Sequence, residues 1–156
     1  MSSITLTVNG TKITQELDLA MPLLYFLGDN LELRGPKLGC GLAQCGSCTV
    51  IANGNAIRSC VTPVGTLDGA EITTLEGLGT IDRLHPIQQA FIDEQASQCG
   101  FCLNGVILTA KAFLDRTPDA TDAQIRAALS GVLCRCGVNV RMLRAIRRYA
   151  DRESTA

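Results

Sequence analysis

Ile4, Leu6 and Val8 alternate with Thr5 and Thr7, a period of two that predicts a half-buried strand. Asn9-Gly10 follows, the pair that supplies positive φ twice in a type I′ turn, and Ile13 resumes the extended pattern on a returning strand. From Pro22 to Leu27 the apolar residues run together. Proline suits a first helical turn and Gly28-Asp29-Asn30 breaks the run, so a short buried helix is expected. Thr49-Val50-Ile51-Ala52 reads as a strand, Asn53-Gly54-Asn55 as its turn, Ala56 to Cys60 as its partner, and Glu71-Ile72-Thr73-Thr74 as a last strand. Glu76-Gly77-Leu78-Gly79-Thr80 reads as a linker.

Beyond that linker the period becomes helical. Ile87, Ala90 and Phe91 share a face after Pro86, and Val106, Ala110, Phe113 and Leu114 share one between Leu103 and Leu114. A capping box, Thr121 to Gln124, opens a third helix carrying Ile125, Ala128 and Leu129. A fourth, from about Val140 to Ala150, aligns Met142, Ile146 and Tyr149. The pattern predicts an α+β protein: a unit of strands and one short helix over residues 1–78, then a four-helix bundle over 79–156.

Composition narrows the chemistry. At 156 residues the chain has room for two small domains, each with a modest core of the kind that leans on a metal staple, and it carries 8 cysteines. Lys and Arg number 14 against 15 acids, with no Trp, a balance that suggests neither a nucleic-acid surface nor a base-stacking platform. No apolar run is long enough to span a bilayer, so direct membrane insertion is not expected. Met1 to Leu6 has no basic or apolar leader pattern; a cytoplasmic chain is expected, exported or membrane-associated only through a partner, and a disulfide framework is the weaker account of the thiols. One histidine, no paired acids and no nucleotide-binding glycine fingerprint leave no residue set for substrate chemistry.

The thiols are not scattered. Cys40, Cys45 and Cys48 fall in the pattern C-x4-C-x2-C, and Cys60 follows after eleven residues, the plant-type frame for a [2Fe-2S] cluster. A two-iron core takes two thiolates on each iron, so a loop must curl round it, and Gly39, Gly41 and Gly46 are expected to supply positive φ and close N–H groups. A zinc ribbon pairs two C-x2-C knuckles and fits this spacing poorly. Cys99 and Cys102 precede the second predicted helix, and Cys134 and Cys136 precede the fourth, where helix N-termini favour thiolates. Spacing alone leaves a second cluster, a zinc site and a redox pair open there.

Two further features have plain readings. Arg141, Arg144, Arg148 and Arg152 form a stripe on the last helix, either a solvated face or a docking surface for an acidic partner. His85 stands immediately before Pro86, which suits helix entry better than metal binding.

Together the loop from Cys40 to Cys48, Gln98-Cys99-Gly100-Phe101-Cys102 and Leu133-Cys134-Arg135-Cys136 resemble the three signatures of the small iron-sulfur subunit of molybdenum hydroxylases, the xanthine oxidase and aldehyde oxidase family. Gly35-Pro36-Lys37, Gln44 and Leu103-Asn104-Gly105 are similar to its bacterial isoquinoline oxidoreductase and nicotinate dehydrogenase branch. The resemblance implies a plant-type ferredoxin-like (β-grasp) domain, a helical domain and two [2Fe-2S] clusters, one on Cys40, Cys45, Cys48 and Cys60, the other on Cys99, Cys102, Cys134 and Cys136. It further implies a large partner subunit holding molybdopterin cytosine dinucleotide, contacted by Gln98 and Cys136, and an acceptor that is a cytochrome c or a flavoprotein. The overall reaction implied is hydroxylation of a nicotinate- or isoquinoline-like N-heteroaromatic or oxidation of an aldehyde. A free-standing two-cluster ferredoxin is the rival reading, and a zinc-stabilised regulatory module a third.

Two departures stand out. Ala43 replaces a common glycine in the first loop, which is expected to be tolerable at negative φ, and Val138-Asn139 replaces the usual pair after the last cysteine.

Overall fold

The computed structural model describes residues 2–153. Strands β1 (Ser2–Val8) and β2 (Thr11–Leu17) form the first hairpin, in which Leu6 faces Ile13 and Ile4 faces Gln15. Its turn is the expected type I′, with φ of 50° at Asn9 and 80° at Gly10. Helix α1 (Leu23–Tyr25) runs straight into a wider π turn at Phe26–Asn30, longer than the short helix expected. Strands β3 (Thr49–Ala52) and β4 (Asn55–Arg58) make a second hairpin on Asn53-Gly54, and β5 (Glu71–Thr73) completes a sheet in the order β2-β1-β5-β3-β4. Only the β1–β5 pair is parallel.

The alternation in β1 does what its period predicts: Ile4, Leu6 and Val8 are buried with Leu23, Phe26, Leu27, Val50 and Ile72 in one core. Strand β3 is buried along its whole length. Val50 and Ala52 point into that first core, while Ile51 points the other way, against Leu108 and Ala112. Those two belong to α4 (Leu103–Leu114), whose bounds match the predicted helix. Its opposite face, with Val106, Ile107 and Ala110, enters a second core shared with α3 (Pro86–Asp93), α5 (Asp122–Ala128) and α6 (Asn139–Glu153). Helix α4 is therefore mostly apolar, with Asn104 and Thr109 as buried polar exceptions, because it is covered on both sides.

One expectation needs correcting, and two features add to the sequence reading. The segment read as a linker opens with a helical turn, α2 (Leu75–Leu78), because Leu75 and Leu78 pack onto the second core while Asn9 ties Thr74 to the first hairpin with two hydrogen bonds of 2.9 Å. A single turn of 3-10 helix at Val64–Leu67, with Val64 buried, had no signal in the apolar pattern. The arginine stripe is solvent-exposed, as one of its two readings had it, but three of its members also reach back to the end of α3: Arg148 pairs with Asp93 and Glu94 at 3.1 Å each, Arg152 with Asp93 at 3.7 Å, and Arg141 donates to the Gln95 carbonyl at 3.5 Å. His85 has its expected place, capping α3 by accepting from the Ile87 N–H at 3.2 Å with its ring against Tyr149. Among the described residues no helix is long and apolar enough to cross a membrane.

Candidate metal centres

The first thiol set is built by a loop that folds N–H groups inward. Gly41, Ala43 and Gly46 have φ of 66°, 60° and 78°. Left-handed residues set among ordinary ones make a nest of inward N–H groups. Cys40 Sγ accepts from the N–H of Leu42 at 3.3 Å, of Gln44 at 3.3 Å and of Cys45 at 3.4 Å, and Cys45 Sγ accepts from the N–H of Cys40 at 3.4 Å. These donors, Leu42 first, hold the Cys40 thiol down at about 7.

Two sequence expectations fail here. Ala43 adopts positive φ, not negative, so its methyl group carries left-handed strain of about 1–2 kcal/mol. Gly39 does not have positive φ; glycine is needed there because a Cβ would lie 2.7 Å from both Cys45 Sγ and Ser47 Oγ.

Cys48 and Cys60 lie deeper, in a small buried cluster with Leu24. Burial pushes Cys48 up to about 11, against a lowering bond from the Cys60 N–H and with the Cys60 thiol adding to the rise. The set thus divides into an outer pair, Cys40 and Cys45, and an inner pair, Cys48 and Cys60.

The second set converges as the helix placement suggests. Cys99, Cys102, Cys134 and Cys136 wall one narrow cleft floored by Val138 and Met142. Cys136 Sγ donates to Cys99 Sγ at 3.3 Å. Cys102, buried at the N-cap of α4, is pushed up to about 12 by burial and then by Cys134. Burial raises Cys134 too, but the Cys136 N–H, the Cys102 thiol and the N–H groups of Val138 and Gly137 outweigh it and its thiol ends lowered. Gln98 lines the rim of the cleft and is exposed.

Among the described residues no three His, Cys, Asp or Glu side chains gather round one point as a single-ion site needs. The thiols meet in twos, with N–H donors aimed at the outer sulfurs. That donor set fits a two-iron, two-sulfide core, which takes two thiolates on each iron and is tuned by hydrogen bonds to sulfur. It does not fit a closed tetrahedral zinc site, whose four thiolates share one centre.

The two sets are joined by a polar seam that the sequence reading missed. The Leu133 N–H, one peptide before Cys134, donates to the Cys45 carbonyl at 2.9 Å. Arg58 donates to Thr49 Oγ1 at 2.6 Å and to the Gly131 carbonyl at 3.0 Å. Asn104 donates to the Ser47 and Thr49 carbonyls. An asparagine in the first turn of a mostly apolar helix was the available signal, since such a local conflict marks a specific partner.

Residues 74–147 match the family of [2Fe-2S] binding domains. Over 150 residues the chain is 56% identical to one of the subunits of nicotinate dehydrogenase from Pseudomonas putida, covering 96% of each protein. It is 48% identical over 129 residues to the alpha subunit of isoquinoline 1-oxidoreductase of Brevundimonas diminuta, covering 83% of this chain and 84% of that one. The crystal structure of quinoline 2-oxidoreductase from Pseudomonas putida 86 holds a chain that superposes with a TM-score of 0.92 at 33% identity, covering 99% of this chain and 97% of its own. With thiol sets, fold and relatives in agreement, the chain belongs to the small iron-sulfur subunits of the molybdenum hydroxylases, the electron-transfer subunits of these oxidoreductases.

Proposed function

We propose that this chain carries electrons in single steps between a large molybdenum-binding partner and an external acceptor through two [2Fe-2S] sites, held by Cys40, Cys45, Cys48 and Cys60 and by Cys99, Cys102, Cys134 and Cys136. When bound, the clusters supply one-electron redox centres, and molybdopterin cytosine dinucleotide in the partner supplies the hydroxylation chemistry. The chain's own residues hold, insulate and align. Burial of Cys48 and Cys102 keeps water from the inner thiolates, while the N–H groups of Leu42, Gln44 and Cys45 stabilise negative charge on Cys40.

The observation that carries this reading is the Leu133 N–H to Cys45 carbonyl bond of 2.9 Å. It brings Cys45 of one thiol set within one hydrogen bond and one peptide of Cys134 of the other, and that proximity supports passage of charge between them. The surface beside the second set supports a partner there: Gln98 and Cys99 are exposed, with Phe101 46% and Leu133 62% exposed around them. Exposed apolar side chains at one rim mark an interaction surface. Gln98 and Cys136 are the residues proposed to meet the pterin, and the Cys40 loop is proposed to face a cytochrome c or a flavoprotein. The two cores support a two-domain chain, proposed as a ferredoxin-like β-grasp domain over residues 1–78 and a four-helix bundle domain over 79–156, although Leu75 and Leu78 at the end of the first pack onto the second core. The substrate class is an N-heteroaromatic acid or base, on the likeness to nicotinate dehydrogenase and isoquinoline 1-oxidoreductase subunits, with an aldehyde as the second candidate. The complex is proposed to be cytoplasmic.

Purification of the tagged chain from its native host tests this. The expected result is a complex with a much larger molybdenum-containing subunit, with no hydroxylase activity in the small chain alone. A chain that came out alone, loaded with clusters and able to shuttle electrons between soluble enzymes, would favour the diffusible ferredoxin.

A further inference from the structure

Asn104 stands in the first turn of α4 and is fully buried. Its side-chain amide donates to two backbone carbonyls across the seam, Ser47 at 3.0 Å and Thr49 at 2.8 Å. Its own Oδ1 has no partner among the described residues. An unpaired buried oxygen is unfavourable, and a leucine there would avoid it, so what the position gains from asparagine is its two donors. The reversed amide would set Oδ1 against two carbonyl oxygens and strand both hydrogens, so the neighbours fix the orientation.

The location of the two acceptors gives the bonds their meaning. Ser47 and Thr49 flank Cys48, and the Ser47 carbonyl belongs to the peptide that carries the Cys48 N–H. Asn104 itself follows the ligand Cys102 by two residues. Beside it Gly105 lets α4 approach so closely that a Cβ there would overlap the Gly46 carbonyl. One side chain thus spans from the stretch around a buried thiol of one set to the helix start that carries a buried thiol of the other.

We infer that Asn104 is a positioning residue for electron transfer within the chain: it fixes the separation of the two thiol sets, and with it the distance an electron crosses. The inference rests on the two-cluster reading above. Electron transfer between weakly coupled centres falls steeply with distance, so a looser seam slows the passage without altering either ligand set.

The test uses the purified complex with Asn104→Ala, Asn104→Asp and Asn104→Ser, each compared with wild type by low-temperature EPR after both sites are reduced. Magnetic coupling between two reduced centres falls with the cube of their separation, a readout that a loss of stability alone does not move. Asn104→Ala is expected to keep its iron and both signals, with the splitting between them weakened or spread. Turnover should slow, by up to the roughly 100-fold that a misplacement of about 1 Å can cost, with KM unchanged. Asn104→Asp, which turns acceptors toward two carbonyls, should show the larger effect, and Asn104→Ser, which keeps one donor, the smaller. Iron-loaded variants with wild-type splitting and turnover would overturn the assignment. Loss of iron from all three would overturn it as well, by making Asn104 a folding residue. A wild-type complex without two interacting signals would instead refute the two-cluster reading, so the two failures are told apart.

Discussion

Replacing Gly105 by alanine sets two effects of known size against each other. Alanine in a helix interior is favoured over glycine by about 1 kcal/mol. Against that, the new Cβ would overlap the Gly46 carbonyl oxygen and sit 3.3 Å from Val132 Cγ1. The carbonyl cannot simply swing away, because it accepts from the Thr49 N–H at 3.1 Å and the Thr49 hydroxyl at 2.6 Å. A backbone-to-backbone overlap belongs at the upper end of overpacking costs, about 3 kcal/mol. Moving α4 outward to relieve it stretches the Asn104 bonds to Ser47 and Thr49, worth about 1 kcal/mol each. That shift is a way of relieving the overlap and not an added cost, so the balance is a net destabilisation of about 2 kcal/mol, or a fall in Tm of roughly 4–8 °C for a chain of this length. Thermal unfolding of the iron-loaded chain, followed by visible circular dichroism, measures it. A Gly105→Ala chain with an unchanged or raised Tm would refute the seating of α4 on the Gly46 loop.

Two further outcomes follow from the electrostatics. In chelator-treated protein at neutral pH, iodoacetamide should label Cys40 well before Cys48 or Cys102, because N–H donors hold the first at about 7 while burial lifts the others to about 11 and about 12; equal labelling by peptide mapping would contradict the nest. Burial works to raise the Glu76 carboxyl, but bonds from the Thr74 hydroxyl at 2.7 Å and the Gly35 N–H at 2.6 Å outweigh it and hold it below its ordinary 4.5. A lowered folded value means that the stabilisation is complete above about pH 4.5 and is lost as pH falls through the folded value. The stability margin of wild type over Glu76→Gln in urea should therefore shrink below that pH, and a margin constant with pH would contradict the assignment.

What the sequence made legible was local chemistry. Asn9-Gly10 and Asn53-Gly54 announced their turns because only residues tolerant of positive φ serve there, and both pairs have it. Thr121 with Gln124, and His85 before Pro86, announced helix starts through caps that satisfy end N–H groups. The thiols announced themselves by spacing. What stayed hidden depends on a partner distant in the chain. Ala43 was expected at negative φ, yet the need to aim the Leu42 and Gln44 N–H groups at Cys40 forces it positive. Glu76 and its neighbours read as linker because nothing local shows that Leu75 and Leu78 have a core to enter. The ion pairs of the exposed arginine stripe stayed hidden because the partners Asp93 and Glu94 lie at the end of another helix. Asn104 and Arg58 gave no spacing signal, since their acceptors lie 57 and 73 residues away.

The most direct test of two separate cluster sites is low-temperature EPR of the reduced complex in wild type, Cys45→Ser and Cys102→Ser. Two [2Fe-2S] centres on eight thiols, about four iron and four sulfide per chain, give two distinct signals in wild type. Cys45→Ser should alter only the one carried by the Cys40 loop and Cys102→Ser only the one carried at the start of α4. A single signal in wild type, or one substitution that erases both signals from a folded chain, would contradict it.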